Sequence, residues 1–281
     1  MSAALREAVT LGSALQAAAR RIDAAEARVL LAHALGVARG QLVAHAERPL
    51  SPAHEQRFAA LVERRASGEP VAYIVGEREF WGLALRVAPA VLIPRPETEL
   101  LVERALALLP ETGEPAVLDL GTGSGAVAIA LARERPRARV VASDVRAEAL
   151  EIARANARAH GAAVSFALGD WLAAVDPAER FEMIVSNPPY VASGDPHLGR
   201  GDLRFEPRGA LDGGRDGLDC IRRLAREARA RLAPRGWLLL EHGYDQERAC
   251  RELLADSGYA ELQDFSDLSG HARVCVGRRA D

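Results

Sequence analysis

Hydrophobic residues recur at helical spacing over residues 1 to about 75, and this pattern predicts a bundle of short helices. Asp23 is placed to cap one helix, and Gly36 ends the hydrophobic run that follows it. Ser51, followed by a first-turn proline, caps the next helix, and Gly68 ends it. The segment carries no cluster of reactive side chains, so we expect it to bind a partner or position a substrate.

The pattern changes at residues 77–93, where two extended runs flank Gly82 and predict a β-hairpin. A helix is expected from Pro94 to Leu109. From Ala116 onwards, short buried strands alternate with helices, which is typical of an α/β fold with a Rossmann-like, doubly wound, mostly parallel sheet. Extended runs near the C-terminus predict a closing hairpin.

The predicted organisation has three parts: a small helical N-terminal domain at residues 1–75, a β-hairpin linker at 76–95 and an α/β domain at 96–281. A chain of 281 residues with 49% hydrophobic and 27% charged residues is long and apolar enough to form folded domains of this kind.

The charge balance argues against a general polyanion-binding protein. The 36 basic residues are all arginine, the acidic residues number 39, and the formal net charge is -3. The helical segment, with nine arginines against seven acids over residues 1–75, is only two charges positive.

Cysteine spacing and hydropathy bear on redox state and location. Cys220, Cys250 and Cys275 lack the C-x-x-C spacing, so we expect reduced thiols and neither a disulfide framework nor a metal site. No apolar run reaches the roughly 18 residues needed to cross a bilayer, and the N-terminus does not resemble a signal peptide. A cytoplasmic protein without membrane contact is expected.

A glycine-rich loop, Gly121-Thr122-Gly123-Ser124-Gly125, directly follows the predicted strand Ala-Val-Leu-Asp-Leu. Glycines at such a turn let backbone N–H groups approach a ligand at the start of a helix. The loop also fits the dinucleotide fingerprint G-x-G-x-x-A, and Asp144 lies close to the offset of a ribose-binding acid. A nucleotide cofactor is therefore predicted at this strand end, and a nicotinamide cofactor stays open at this point.

The tetrapeptide Asn187-Pro188-Pro189-Tyr190 follows another predicted strand, Phe-Glu-Met-Ile-Val-Ser. Ligands bind at the carboxyl ends of the strands in such sheets, so Asn187 is expected to face the same crevice as the glycine loop. The two prolines make a rigid turn without N–H donors, and the Asn187 side-chain oxygen with the Pro188 carbonyl can accept both hydrogens of a planar NH2 group. This arrangement turns the nitrogen lone pair toward a cofactor bound in that crevice, while Tyr190 packs against the planar group.

No His, Cys or Lys base is needed if the proton leaves after the nitrogen has reacted, because positioning then makes the main contribution. The tetrapeptide therefore predicts a site that holds an NH2 group on a planar carbon as an acceptor beside the bound cofactor. Adenine N6 and the glutamine amide both remain open as acceptors.

Asp119, two residues before the glycine loop, completes the pattern D-x-G-x-G-x-G, which resembles the class I S-adenosylmethionine methyltransferases. The resemblance implies S-adenosyl-L-methionine as cofactor and S-adenosyl-L-homocysteine as product. It also implies that the acid and the loop hold the methionine end, that Asp144 accepts hydrogen bonds from the ribose hydroxyls, and that Trp171 lies near the adenine.

Three further segments resemble the peptide chain release factor glutamine methyltransferases, the PrmC/HemK family: Phe-Trp-Gly at 80–82, Val-Leu-Ile-Pro-Arg-Pro-Glu-Thr-Glu at 91–99, and Phe-Glu-Pro-Arg-Gly-Ala-Leu-Asp-Gly-Gly-Arg-Asp-Gly-Leu at 205–218. The order of helical domain, hairpin linker and methyltransferase domain is also similar, so the resemblance covers essentially the whole chain. It implies methylation of the side-chain amide nitrogen of the glutamine in the Gly-Gly-Gln motif of class 1 peptide chain release factors. These factors would be the protein partners, without direct nucleic-acid recognition.

Matching the motifs of this chain to those of the family implies three sets of functional residues. The implied catalytic residues are Asn187, Pro188 and Tyr190. The implied cofactor-binding residues are Gly121, Thr122, Gly123, Ser124, Gly125, Asp144, Trp171 and Asn187. The implied substrate-binding residues are Asn187, Pro188, Pro189 and Tyr190.

Other polar residues lie near these motifs in the sequence. Arg95 and Glu97 would either shape the rim of the pocket or form an exposed pair, and the polar loop at 193–201 would close over the substrate peptide. His242 and His271 are interpreted as structural because neither pairs with a nearby nucleophile.

Alternative functions fit these motifs to different degrees. Adenine N6 methylation of DNA or RNA would need a basic groove and a means of flipping the base, and the charge balance offers no strongly basic recognition domain. A glutamine in a ribosomal protein stays open as the substrate. A non-catalytic nucleotide-binding protein or a nicotinamide oxidoreductase does not account for Asn-Pro-Pro-Tyr at this strand end.

Overall fold

The computed structural model describes residues 9–43 and 45–280. The chain divides into two compact units, one ending at Gly76 and the other beginning at Glu77. Each unit has its own hydrophobic core.

The first unit is helical, as the sequence predicts. Its described helices are α1 (Leu11–Ala18), α2 (Ala24–Leu35), α3 (Arg39–Val43), α4 (Pro52–Ala66) and α5 (Val71–Val75). The Asp23 carboxylate accepts hydrogen bonds from the first backbone N–H groups of α2, and Gly36 ends that helix with φ of 67°. The Ser51 hydroxyl caps α4 in the same way. The core contains Leu30 and Phe58, so burial of one face of each helix stabilises the bundle.

The second unit begins with a hairpin and continues as an α/β domain. The hairpin strands are β1 (Glu77–Phe80) and β2 (Leu83–Arg86). The remaining strands are β3 (Ala116–Leu120), β4 (Arg139–Asp144), β5 (Val164–Leu168), β6 (Phe181–Ser186), β7 (Leu232–Glu241), β8 (Tyr259–Ser266) and β9 (Ala272–Arg279). The helices are α6 (Glu99–Leu108), α7 (Ala126–Glu134), α8 (Ala147–Ala159), α9 (Asp219–Ala228) and α10 (Glu247–Asp256).

Seven strands form one sheet in the order β5-β4-β3-β6-β7-β9-β8. The first five strands of that order run parallel, and β9 and β8 add an antiparallel edge. Strand order reverses between β3 and β6, because β4 and β5 lie on one side of β3 and β6 and β7 on the other. The carboxyl ends of β3 and β6 therefore flank the switch point, where doubly wound sheets bind ligands.

Two hydrophobic clusters cover the two faces of this sheet. Successive residues of β3 alternate between them, since Val117 belongs to one cluster and Leu118 to the other. The first cluster includes α6 and α7, and the second includes α9 and α10. Phe80 and Leu85 of the hairpin are almost fully buried in the first cluster, so the predicted linker segment packs as part of the α/β unit.

The turn of the hairpin is anchored to the helices beside it. Trp81 lies in the left-handed region, with φ of 54°. Its backbone N–H donates to Glu99 at 2.8 Å, and its indole N–H donates to Glu134 at 3.0 Å. These contacts explain why Phe-Trp-Gly stands at the turn.

The predicted fold class is confirmed, and α10 is an addition that the sequence pattern did not reveal. In the part of the chain that the structure describes, none of the helices combines the length and apolar character needed to cross a membrane.

Candidate active site

A cavity of about 270 Å³ opens at the carboxyl ends of the parallel strands. The glycine loop, the end of β4 and the segment after β5 line one side of it, and the segment after β6 lines another. A smaller cavity of about 50 Å³ lies beside it, lined by the glycine loop, Asp119 and Thr98. Leu92, Gly121 and Asn187 line both cavities, so these residues mark the boundary between the two spaces.

Two glycines of the loop are required for different reasons. Gly121 has φ of +72°, and a Cβ atom there would lie 3.2 Å from the Trp171 ring. Trp171 therefore packs directly over the loop backbone, next to the larger cavity. Gly125 has φ of +85°, and a Cβ atom would lie 2.9 Å from Ile129 and 3.1 Å from Ala153, so this glycine permits close packing of α7 and α8.

The other predicted loop residues divide between the two cavities. Gly123 lines both, whereas Thr122 and Ser124 line only the smaller one. Gly125 lines neither of them.

Asp119 holds the loop in place. Its Oδ2 accepts hydrogen bonds from the Thr122 hydroxyl at 2.6 Å and from the Ala128 backbone N–H at 3.2 Å. Burial raises the pKa of this carboxyl to about 6, against the opposing effect of those two hydrogen bonds. Asp119 thus connects β3, the glycine loop and the first turn of α7.

Asp144 ends β4 at the rim of the larger cavity. One carboxylate oxygen accepts from the Gly123 N–H and the other from the Arg146 N–H, each at 2.9 Å. These bonds fix the carboxylate beside the glycine loop, and the predicted proximity of the two motifs is thereby observed.

Asn187 stands at the boundary of the two cavities, and its orientation is defined by Thr98. The Asn187 amide nitrogen donates to the Thr98 hydroxyl oxygen at 3.0 Å. The amide oxygen, on the opposite side of the same planar group, is left as an acceptor. Thr98 itself is only 4% exposed.

The rest of the tetrapeptide is arranged around this asparagine. Pro189 lines the larger cavity, and Pro188 is buried. Tyr190 packs against the second hydrophobic cluster, and its hydroxyl donates to Glu241 at 3.2 Å. Burial raises the pKa of the Tyr190 phenol, so the group stays protonated as a donor.

Arg95 is part of a buried link across the cavity wall. Its guanidinium pairs with Glu206, whose other carboxylate oxygen accepts from the Ile93 N–H at 2.9 Å. The Glu206 side chain is fully buried. The 91–99 and 205–218 segments are therefore joined, and Pro207 of the second segment lines the larger cavity.

The 193–201 loop is fastened to the neighbouring segment. Ser193 donates to Asp212 at 2.6 Å, and Arg208 donates to the Ser193 carbonyl oxygen at 2.8 Å. Most of the loop is exposed.

The histidines and cysteines that the sequence singled out have other environments. His242 is fully buried, bonds to the Gly243 carbonyl and has a pKa lowered by burial. His271 stacks edge-on against Tyr244. The three cysteines are free thiols, of which Cys220 lines the larger cavity. Among the described residues there is no cluster of His, Cys, Asp and Glu suited to a metal ion.

The structure adds four residues that sequence motifs did not single out for a role: Thr98, Asn156, Glu206 and Glu241. Asn156 of α8 is fully buried and bonds to the backbone N–H and C=O of Arg86 and to the carbonyl of Ser124. It therefore connects the hairpin to the glycine loop. Thr98 and Glu206 lie within the family-like segments 91–99 and 205–218, whereas Asn156 and Glu241 gave no sequence signal.

Known proteins match both units of the chain. The family model described as "PrmC N-terminal domain" matches residues 4–76, and the one described as "Methyltransferase small domain" matches residues 97–199. A methyltransferase structure from Pyrococcus furiosus aligns with a TM-score of 0.55 and 21% identity, covering 80% of this chain and 100% of that one, and it supports the fold.

Curated relatives match over nearly the full length. The release factor glutamine methyltransferase of Burkholderia pseudomallei is 52% identical over 263 residues, which cover 92% of each chain. The protein of the same name from Xylella fastidiosa is 53% identical over 265 residues, covering 94% of this chain and 96% of the relative. The chain belongs to the release factor glutamine methyltransferase family, which confirms the resemblance seen in its motifs.

Proposed function

We propose that this protein uses S-adenosyl-L-methionine to methylate the side-chain amide nitrogen of the glutamine in the Gly-Gly-Gln motif of class 1 release factors. The observation that carries the proposal is the orientation of Asn187. Its amide nitrogen is bound by Thr98, which leaves its oxygen as an acceptor at the boundary of the two cavities.

The residues around the cavities fit the cofactor. Gly121 leaves open a space beside Trp171 that a Cβ atom would narrow, and Asp144 presents a fixed carboxylate at the rim. In this proposal the larger cavity holds the adenosine, with Trp171 near the base and Asp144 accepting from the ribose hydroxyls. Gly121 to Ser124, which line the smaller cavity, would hold the methionine end. Gly125 would support this loop through its close packing against α8, and Asn187 would complete the cofactor site at the boundary of the two cavities.

When bound, S-adenosyl-L-methionine supplies an electrophilic methyl group on a sulfonium. The protein's task is to make a poorly nucleophilic amide nitrogen available to it. The Asn187 oxygen and the Pro188 carbonyl accept the two N–H hydrogens of the glutamine, so that the nitrogen lone pair faces the methyl donor. Orientation of this kind supplies about 7–11 kcal/mol.

Methyl transfer would release S-adenosyl-L-homocysteine and leave a cationic amide nitrogen. No side-chain base is required, because this nitrogen is strongly acidic and loses its proton to water. Asn187, Pro188 and Tyr190 act as the catalytic residues, and Asn187 to Tyr190 hold the substrate. Tyr190 contributes by fixing the turn, since its hydroxyl is bound to Glu241.

Residues 1–75 serve as the substrate-binding domain in this proposal, residues 76–95 as the hairpin linker and residues 96–281 as the methyltransferase domain. Relatives that carry the release factor name match this chain over both units, which supports a release factor as the partner. A class 1 release factor acts where translation ends, so the cytoplasm is the proposed location.

Transfer of labelled methyl from S-adenosyl-L-methionine to purified acceptors tests the proposal. We expect labelling of an unmodified release factor and none of its Gln→Ala variant in the Gly-Gly-Gln motif. Labelling of that variant, or of DNA or a ribosomal protein in place of the release factor, would contradict the proposed substrate.

A further inference from the structure

Glu241 is a buried carboxylate next to the proposed active site. It ends β7, whose Leu240 pairs with Ser186 just before Asn187. Glu241 is only 1% exposed, and its Oε1 accepts from the Tyr190 hydroxyl. Its Oε2 is buried without a well-formed hydrogen bond among the described residues. A carboxylate left incompletely paired in a protein interior is costly, and such groups concentrate at functional sites.

Thr98 lies near both this carboxylate and Asn187. The Thr98 hydroxyl accepts from the Asn187 amide nitrogen, and its proximity to Glu241 lowers the pKa of that carboxyl. A threonine hydroxyl has one proton to donate. When that proton is directed to Glu241, Thr98 can only accept from Asn187. The asparagine must then present its NH2 group to Thr98 and its oxygen to the cavities.

The charge state of Glu241 decides the direction of these bonds. An ionised carboxylate only accepts, whereas a protonated one can donate to Thr98 and free the threonine proton for the Asn187 oxygen. Burial raises the pKa of Glu241 to about 7. The nearby Thr98 hydroxyl, the hydrogen bond from Tyr190 and the charge of Arg273 on β9 favour ionisation, and Glu97, before α6, opposes it.

We propose that Glu241 is a positioning residue that acts through Thr98 to hold the Asn187 amide oxygen toward the acceptor nitrogen, while its bond to Tyr190 fixes the turn. The inference rests on the proposed function. Methyl transfer by the unaltered protein establishes that function, and the variants below then test Glu241 separately.

The first test is Glu241→Gln, with Glu252→Gln on the exposed face of α10 as the matched control. Glutamine retains the size of the side chain but brings an NH2 group that donates toward Thr98 or Tyr190. We expect kcat to fall by about tenfold or more while the dissociation constant for S-adenosyl-L-methionine stays within about threefold, and the control to match the unaltered protein. An unchanged kcat per folded molecule would overturn the proposal.

The pH profile adds a readout that a merely structural role would not move. For the unaltered protein, kcat should rise as pH increases through about 7, because ionisation of Glu241 sets the productive orientation. Glu241→Gln should lose this acidic limb. The proposal is wrong if the variant retains the same limb.

Thr98 provides a second route if Glu241→Gln reduces folding. Thr98→Val removes the hydroxyl and should lower kcat, whereas Thr98→Ser keeps the hydroxyl and should retain most of it. The double variant, Glu241→Gln with Thr98→Val, should have a kcat only slightly lower than that of the less active single variant. The reason is that both changes interrupt the same connection between Glu241 and Asn187. The proposal would be overturned if the fold-reductions in kcat of the two single variants multiplied in the double variant. A normal kcat in Thr98→Val would also overturn it.

Discussion

Single residues of this site act through the direction of their hydrogen bonds. In the proposed reaction Asn187 accepts a hydrogen bond from the substrate amide. Its own NH2 group is bound to Thr98, so its side-chain oxygen is held in one orientation as the acceptor. Asp119 and Asp144 are both acids beside the glycine loop, but their environments differ. Asp119 is buried and accepts a hydrogen bond from Thr122 of the loop, whereas Asp144 lines the larger cavity.

Asn187→Ala tests the role of the asparagine at this scale. The change removes the acceptor oxygen but leaves Gly121, Asp144 and Trp171 in place. We expect the dissociation constant for S-adenosyl-L-methionine to stay within about threefold while kcat falls by about 100-fold or more, because orientation is lost and cofactor contacts remain. Calorimetry and single-turnover kinetics measure the two quantities. Equal losses in both would mean that Asn187 mainly holds the cofactor.

At the scale of elements, the walls of the site are connected by contacts between distant segments. Glu206 joins the segment before α6 to the loop before α9 through Arg95 and the Ile93 N–H. Asn156 joins the hairpin to the glycine loop through three hydrogen bonds. Glu206 and Asn156 thus connect segments that form the cavity walls, although neither side chain lines the larger cavity.

Glu206→Ala should therefore loosen the segment that contains Arg95. The change leaves a buried N–H and a partly buried guanidinium without their acceptor, at a cost of about 3 kcal/mol in unfolding free energy. Amide exchange at Ile93 should also become faster. Denaturant unfolding and hydrogen exchange measure these effects.

Glu179→Ala is the matched control for that change, since Glu179 pairs with Arg139 at the surface, where the two side chains are 34% and 48% exposed. Its cost should be within about 1 kcal/mol. If Glu206→Ala costs no more than this control, the buried link does not stabilise the wall.

Much of the fold follows from local sequence patterns, and the exceptions have local causes. The alternation from Ala116 onwards gave the parallel strands because each is a short apolar run with glycine or polar residues at its end. The helix α10 has no clear sequence signal. Gln246 at its N-terminus makes no side-chain capping hydrogen bond, and the buried residues of the helix are only Cys250 and Leu254. The helix α9, which spans Asp219–Ala228, is one of the helices of that alternation.

The candidate site was predictable where its residues are contiguous. The glycine loop and Asn187 to Tyr190 stand in compact motifs at strand ends, and the switch point brings them together. Thr98, Glu206 and Glu241 act on residues at least 50 positions away in the sequence, as in the Thr98–Asn187 pair with a separation of 89. Only the three-dimensional contacts reveal those roles.

For the whole molecule, buried carboxyls tie stability to pH. Burial raises the pKa of Asp119 to about 6 and that of Glu241 to about 7. Their unfolded-state pKa values lie near 4. Between those values the folded state binds more protons than the unfolded one, so the contribution of these groups to stability is present at low pH and declines as pH rises.

Asp119→Asn tests this linkage. Asparagine can still accept from Thr122 and Ala128 through its oxygen, but it does not ionise. The unfolding free energy of the variant, measured relative to the unaltered protein, should rise by on the order of 3 kcal/mol between about pH 4 and pH 8. Urea unfolding at a series of pH values measures the difference. A constant difference across that range would show that Asp119 does not carry the shift.

The composition of the whole chain also bears on the acceptor. Arginines and acids nearly balance, with 36 against 39, and this balance favours a protein acceptor over a nucleic-acid one that shares the Asn-Pro-Pro-Tyr chemistry. In the proposed mechanism the site accepts an NH2 group on a planar carbon, and the family relationship supports a release factor glutamine as that group.

The most direct test of the proposed function is mass spectrometry of an unmodified class 1 release factor after reaction with this protein and S-adenosyl-L-methionine. We predict the addition of one methyl group, located by fragmentation on the side-chain nitrogen of the glutamine in the Gly-Gly-Gln motif. Asn187→Ala should leave that peptide unmodified under the same conditions. A methyl group on any other residue, or an unmodified release factor with a fully folded and cofactor-bound enzyme, would contradict it.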